Sequence, residues 1–272
     1  MSIKAFIDKN FPFIVKRIRK KRDENKFAKS KFSKTAYGFS FIGNKNQIES
    51  RLETGEIETL KKYINETDVF IDIGANCGFY SLIASQENKT IISFEPNFEN
   101  YQLFLRNIQK NNITNIEPNF LAISDKAAVL SLYGGGEGAS LEKNWGGMYN
   151  TYSRLVYCNS IDNILTDRFI NKRILIKIDV EGHEYNVLKG ALNLFKREIA
   201  PVFLIEHGFM ENFNGEINPN FLNLFNFLWE NNYSSYTADN TNQKVTKEDV
   251  NNWLKNKKRE FGDLNYIFIK NN

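Results

Sequence analysis

The sequence predicts an α/β domain built on a parallel sheet, and three observations carry that expectation. Short runs rich in β-branched and aromatic residues recur at Val69–Ile73, 90–95, 116–123, 173–179 and 201–206, as strands buried on both faces of a parallel sheet read. Stretches with helical periodicity follow them, the clearest opening at Pro96-Asn97 and running to about Asn111. The first run also passes without slack into the turn Gly74-Ala75-Asn76-Cys77-Gly78 and a helix start at Phe79. That strand, turn and helix sequence is where α/β folds bind nucleotide-like ligands.

A chain of 272 residues with 42% hydrophobic content suffices for one substantial core. No run of about 18 apolar residues exists, and the N-terminus lacks an apolar core followed by a small-residue cleavage site, so a cytoplasmic location is expected. Cys77 and Cys158 provide neither a disulfide framework nor a CxxC metal site.

Residues 1–35 hold twelve Lys or Arg against Asp8, Asp23 and Glu24, giving +9, so the net +4 of the chain leaves −5 for the remainder. Phe6, Phe11, Phe13, Ile14 and Ile18 precede or interleave with the basic run 16–22. This basic amphipathic segment is expected to touch an anionic membrane surface peripherally, the alternative being a solvated helix packed on the domain. Nucleic acid ranks lower, because no recognisable binding motif accompanies the charge. The pattern Ile48, Leu52, Ile57, Leu60, Tyr63, Ile64 marks 36–65 as a helical lead-in, and 66–272 follows as the main domain. Strands or hairpins near 129–133 and 154–160 flank the glycine-rich stretch 134–138, an insertion at about 127–160. The stretch lacks the Lys-Ser/Thr and helix of a phosphate loop and reads as a mobile loop near the substrate.

The turn at 74–78 has the spacing D-x-G-x-N-x-G, with Asp72 on the strand and Asn76 where a dinucleotide loop carries its second glycine. An acid beside the loop suits a cationic, amino-bearing ligand better than a pyrophosphate, and S-adenosylmethionine carries both a sulfonium and an amino group. Asp72, Gly74, Ala75, Asn76, Gly78, Phe79 and Tyr80 are therefore cofactor candidates. Glu95 stands 21 residues after Gly74, at the end of the second strand, where a carboxylate accepts both ribose hydroxyls. Pro96 and Asn97 follow it, and Ala122, Ser124 and Asp125 end the third strand where an adenine ring would lie.

The fourth and fifth strands deliver Asp179, Glu181, His183 and Glu184, and then Glu206 and His207, to the carboxyl edge of the sheet. Lys177 lies two residues before Asp179 on the same strand face and is placed to fix that carboxylate by an ion pair. The catalytic candidates are Asp179, Glu181, His183, His207 and Lys177. Glu181 and Glu184 have the alternative role of capping the next helix. Strand ends about 4.8 Å apart would let Asp179, Glu206 and His207 hold Mg²⁺ or a similar ion; without it, the same groups would bind acceptor hydroxyls.

Taken together, IDIGANCGFY at 71–80, FEPN at 94–97, RN at 106–107, AISD at 122–125, SID at 160–162, KIDVEGHE at 177–184 and LKG at 188–190 resemble the FkbM family of S-adenosylmethionine-dependent methyltransferases. The resemblance covers roughly 66–210. It implies a Rossmann-like class I methyltransferase, with helices on both faces of a seven-stranded, mostly parallel sheet of order 3-2-1-4-5-7-6. It also implies O-methylation, often of sugars or polyketide-type products, and for some related enzymes a divalent metal. The expected acceptor is a sugar hydroxyl of a surface glycan or a glycosylated metabolite. His183 departs from the pattern, replacing a small residue frequent after Glu-Gly. A nicotinamide-dependent oxidoreductase, a methyltransferase on another small molecule or nucleic acid, and a noncatalytic nucleotide-binding module are the alternatives. Asn76 and Asp72 count against the oxidoreductase, and the absence of an Asn/Asp-Pro-Pro-Tyr/Phe motif against base methylation.

Overall fold

A computed structural model describes residues 10–49, 54–143, 145–147, 152–213 and 215–271. Phe6 and Leu52 lie outside the described residues. The chain opens with helix α1 (Pro12–Lys29), which has proline at its first position, where no backbone donor is needed. A short antiparallel ribbon of β1 (Ser33–Lys34) and β2 (Ser40–Phe41) follows, then α2 (Lys45–Ile48) and α3 (Thr54–Glu66). The lead-in at 36–65 is thus not helical throughout. Tyr37, Phe39 and Phe41 recur every second residue, a strand period, and pack into the core with Ile57, Leu60 and Ile64 of α3.

The main sheet joins β3 (Val69–Ile73), β4 (Thr90–Phe94), β5 (Ile116–Asn119), β9 (Ile174–Ile178), β10 (Val202–Glu206), β11 (Tyr233–Thr237), β12 (Lys244–Val245) and β13 (Asn265–Lys270). Its order is β12-β11-β13-β10-β9-β3-β4-β5. Pairing is parallel from β10 through β9, β3 and β4 to β5, and antiparallel for β10–β13, β13–β11 and β11–β12. Among the described residues the sheet is therefore mixed and has eight strands rather than seven. β13 lies third from the β12 edge, between β10 and β11.

Every residue of β3 and β9 is buried, and strand alternation splits them between two cores. Val69, Ile71 and Ile73 with Ile174, Ile176 and Ile178 face the core completed by α7 (Glu184–Lys189) and α8 (Phe221–Glu230). Phe70 and Leu175 face the other, completed by α3, α4 (Phe79–Ser85) and α5 (Phe98–Lys110). Asp72 and Lys177 are register partners on this second face, two charges among apolar side chains.

The expected third strand 116–123 divides. β5 stays in the main sheet, while β6 (Ala122–Ile123) joins β8 (Ser153–Asn159) and β7 (Ala128–Tyr133) in a three-stranded sheet of its own. The turn closed by Leu121 N–H on Asn119 O separates the two. Helices α6 (Ile161–Leu165) and α9 (Lys247–Asn256) complete the elements. Among the described residues no helix is long and apolar enough to cross a membrane.

Candidate active site

The turn after β3 is fastened at both ends. Gly74 N–H and Ala75 N–H both donate to Phe94 O of β4 at 2.9 Å, and Asp179 N–H donates to Ile73 O at 2.9 Å. Gly74 has φ +90, and a Cβ there would lie 1.8 Å from Asp179 O. Its glycine is thus required both by a left-handed backbone and by the close approach of the end of β9.

A cavity of about 220 Å³ opens above this junction at the carboxyl ends of β3, β4, β9 and β10. Gly74, Asn76, Tyr80, Glu95, Pro96 and Ala122 line one side, and Asp179, Glu181, His183 and Glu206 line the other. Glu95 is 5% exposed and accepts Asn76 N–H at 2.8 Å on one oxygen and Asn97 N–H at 2.7 Å on the other. Burial pushes its carboxyl up to about 7 despite these bonds. The Asn100 side chain also reaches this carboxyl, and the acceptor capacity that remains faces the cavity for a ligand hydroxyl.

Several expected cofactor contacts stand behind the cavity instead. Asp72 is 1% exposed and accepts Ser81 Oγ–H at 2.5 Å, because position 72 shares the strand face of Phe70 under α4. Burial raises its carboxyl to about 6, with Lys177 opposing. Ala75, Gly78 and Phe79 are buried in the turn and the start of α4. Asn97 caps α5 by accepting Glu99 N–H and donates to Gly136 O. Ser124 turns toward His183, and Asp125 is exposed, because the chain has left the main sheet at β6.

The other side of the cavity is acidic. Lys177 lies beneath it, 1% exposed, with Nζ 2.8 Å from Asp179, 3.8 Å from Glu56 and 4.2 Å from the Tyr80 ring centroid. The expected ion pair with Asp179 is present, but Lys177 does not reach the cavity. Burial alone would lower its ammonium; Asp179, Glu56, Glu206 and Asp72 override that and hold it above its ordinary range. Burial, reinforced by Asp179, raises Glu181 to about 8. Glu206 is raised well above the usual carboxylate range, first by Asp179 and then by burial.

The two histidines part company. His183 Nε2 lies 2.9 Å from Ser124 Oγ and Nδ1 lies 2.7 Å from Glu142, so both ring nitrogens are engaged at the cavity wall. His207 does not line the cavity. It is 1% exposed, 3.4 Å from Glu184 Oε2, with its ring parallel to Phe221 at 5.3 Å. Adjacent strand residues point to opposite faces, so Glu206 entering the cavity sends His207 into the core. The set Asp179, Glu206 and His207 therefore does not converge on a metal, and among the described residues no three His, Cys, Asp or Glu form such a group. Neither carboxylate caps α7, whose N-terminus has no side-chain cap: Glu184, its first residue, accepts Gly182 N–H ahead of the helix at 2.7 Å, and Glu181 accepts Trp145 Nε1–H at 2.6 Å.

Sequence reasoning missed the groups that come from other segments. Glu56 of α3 accepts Tyr80 O–H at 2.8 Å beside Lys177. Asn44 and Gln47 line the cavity, with Asn44 donating to Glu137 at 2.7 Å. From the insertion, Ser140 donates to Glu181 O at 2.6 Å, and Trp145 lies so close to Gly182 that a Cβ there would fall 2.4 Å from the indole. The only sequence signal for Trp145 was a lone tryptophan in a glycine-rich segment.

Comparison with known proteins places this geometry in context. A profile described as the methyltransferase FkbM domain matches residues 72–235. The chain is 29% identical over 144 residues to the hexuronic acid methyltransferase AglP of Haloferax volcanii, covering 53% of this chain and 58% of that relative's length. Among solved structures, a precorrin-6y C5,15-methyltransferase of Geobacter metallireducens superposes with a TM-score of 0.44 at 15% identity, covering 85% of this chain and 94% of that one. An O-methyltransferase of Bacillus cereus in complex with SAH gives 0.39 at 12% identity, covering 79% and 78%. With more than half of its residues inside the matched domain, the chain belongs to the FkbM family of methyltransferases.

Proposed function

We propose that this protein transfers the methyl group of S-adenosylmethionine to a sugar hydroxyl, on a surface glycan or a glycosylated metabolite. The observation that carries the reading is Glu95, a buried carboxylate between the turn amides and the cavity, held by two backbone N–H groups with acceptor capacity left toward the cavity. The name of the Haloferax relative supports a sugar acceptor. The strands β5-β4-β3-β9-β10-β13-β11 correspond in this reading to the order 3-2-1-4-5-7-6, with β12 added outside it.

When bound, S-adenosylmethionine supplies an electrophilic methyl carbon, and its sulfur keeps the electron pair of the broken carbon–sulfur bond. Gly74, Asn76 and Glu95 hold the cofactor end, and Asp179 receives the proton that the acceptor hydroxyl loses as the new carbon–oxygen bond forms. Lys177 holds the Asp179 carboxylate in place from beneath, with Nζ at 2.8 Å. Glu181 and Glu206 position neighbouring hydroxyls, and the cavity aligns the oxygen with the carbon–sulfur bond. No step is assigned to a metal, because His207 faces the core.

Fluorescence titration with S-adenosylhomocysteine and with NAD tests the cofactor class. Binding of the first and not the second is expected, and replacing Glu95 with Ala should weaken it about tenfold or more, since a hydrogen bond to a charged group contributes about 1.5 to 3 kcal/mol. Preference for NAD, or unchanged affinity in Glu95→Ala, would refute the assignment. Mass spectrometry of surface glycans from cells with and without the gene tests the acceptor: loss of a sugar methyl group is expected.

A further inference from the structure

Among the described residues, α1 carries an apolar stripe that is covered only at Val15. Phe11, Ile14, Val15 and Ile18 fall at i, i+3, i+4 and i+7, one helix face, yet only Val15 is buried. Phe11 is 49%, Ile14 56% and Ile18 63% exposed; Phe13, on the opposite side of the helix among the basic residues, is 86% exposed. Globular proteins seldom leave large apolar side chains grouped in this way without a partner.

The charge around the stripe says what that partner is. Six Lys or Arg occupy 16–22, and exposed Arg17, Lys20 and Lys21 interleave with the apolar positions. Strong positive charge with Phe and Ile on one short helix matches a surface that is anionic outside and apolar a few ångströms below. The C-terminal end of the helix is anchored near the cavity: Asn25 and Lys29 line a second pocket that shares Asn76, Asn100, Gly136 and Glu137 with the first. A helix docked on a bilayer would hold the cavity mouth close to that surface.

We propose that α1 lies on an anionic phospholipid bilayer, with Phe11, Ile14 and Ile18 entering the headgroup boundary and the basic residues contacting lipid phosphates. This does not depend on the methyl-transfer reading.

Co-sedimentation of the full chain with vesicles tests it, comparing phosphatidylcholine alone with the same lipid containing phosphatidylglycerol. Sedimentation with the anionic vesicles only, at low salt, and its loss at about 0.5 M salt are expected. Ile14→Asp and Ile18→Asp, both at exposed sites, should abolish it, and Arg17→Gln should weaken it about five-fold. Circular dichroism and S-adenosylhomocysteine titration of these variants, unchanged from the parent, show that the fold survives. No sedimentation of the parent at low salt, equal sedimentation with both vesicles, or undiminished binding by the Asp variants would overturn the proposal. So would a gel shift with single-stranded nucleic acid in the absence of vesicle binding.

Discussion

Replacing Lys177 with Met removes the cation around which the acidic side of the cavity is balanced. The ammonium is 1% exposed, 2.8 Å from Asp179 and 3.8 Å from Glu56, and it also opposes the raised carboxyls of Asp72 and Glu206. At an effective dielectric of about 20, an ion pair at such distances contributes about 4 to 6 kcal/mol, against which stands the desolvation of the ammonium. Methionine fills a similar volume but leaves the carboxylates uncompensated, so the loss should be about 3 to 5 kcal/mol near pH 8. The pH dependence is the discriminating part. A carboxyl raised in the folded state stabilises fully below its ordinary value, and that contribution disappears as pH rises through the folded value. Without Lys177 the carboxyls of Asp72 and Glu206 rise further, so the penalty grows with pH; near pH 4.5, below their raised folded values, they are protonated in the folded protein with or without Lys177, and the penalty should shrink to less than half. Urea unfolding followed by tryptophan fluorescence at pH 4.5, 6 and 8 measures this. A penalty equal at all three values, or none at pH 8, would show that Lys177 is not the balancing charge.

Changing Asp179 to Asn should lower the methyl-transfer rate about 10²-fold or more, the scale of a positioned acid–base group, while S-adenosylhomocysteine affinity stays within about two-fold; full turnover would remove Asp179 from the chemistry. Cofactor affinity should tighten about tenfold from pH 6 to pH 8 and level off above, because Glu95, raised to about 7 by burial, must ionise to accept both ribose hydroxyls. Calorimetry in buffers of different ionisation enthalpy should show proton release at pH 6, and a flat profile would contradict the ribose role. Gly74→Ala should cost several kcal/mol in urea midpoint through its left-handed φ and the Asp179 O clash, and stability within about 0.5 kcal/mol of the parent would refute the packing argument.

The central strands were legible because they are dry on both faces: runs such as Val69–Ile73 and Ile174–Ile178 carry one charge each, Asp72 and Lys177, and no solvent-facing side to blur the signal. The end of Ile116–Asn119 was misjudged because Phe120 and Leu121 continue the apolar run through the turn that leaves the sheet. Glu95 could be placed from spacing alone, since its partners, Asn76 and Asn97, are set by the same local turn geometry. Asp72 and His207 could not, because proximity to a strand end does not say which face a side chain takes, and a register shift of one residue exchanges cavity for core. The acceptor side was hidden for a different reason. Glu56 meets Lys177, Ser140 meets Glu181, Glu142 meets His183 and Asn44 meets Glu137, pairs drawn together by the tertiary fold alone. Two of these groups, Asn44 and Glu56, and the wall residue Gln47 precede the matched family domain at 72–235. The family match therefore spans the cofactor turn and the strand ends but not the lead-in, which supplies part of the wall an acceptor would meet.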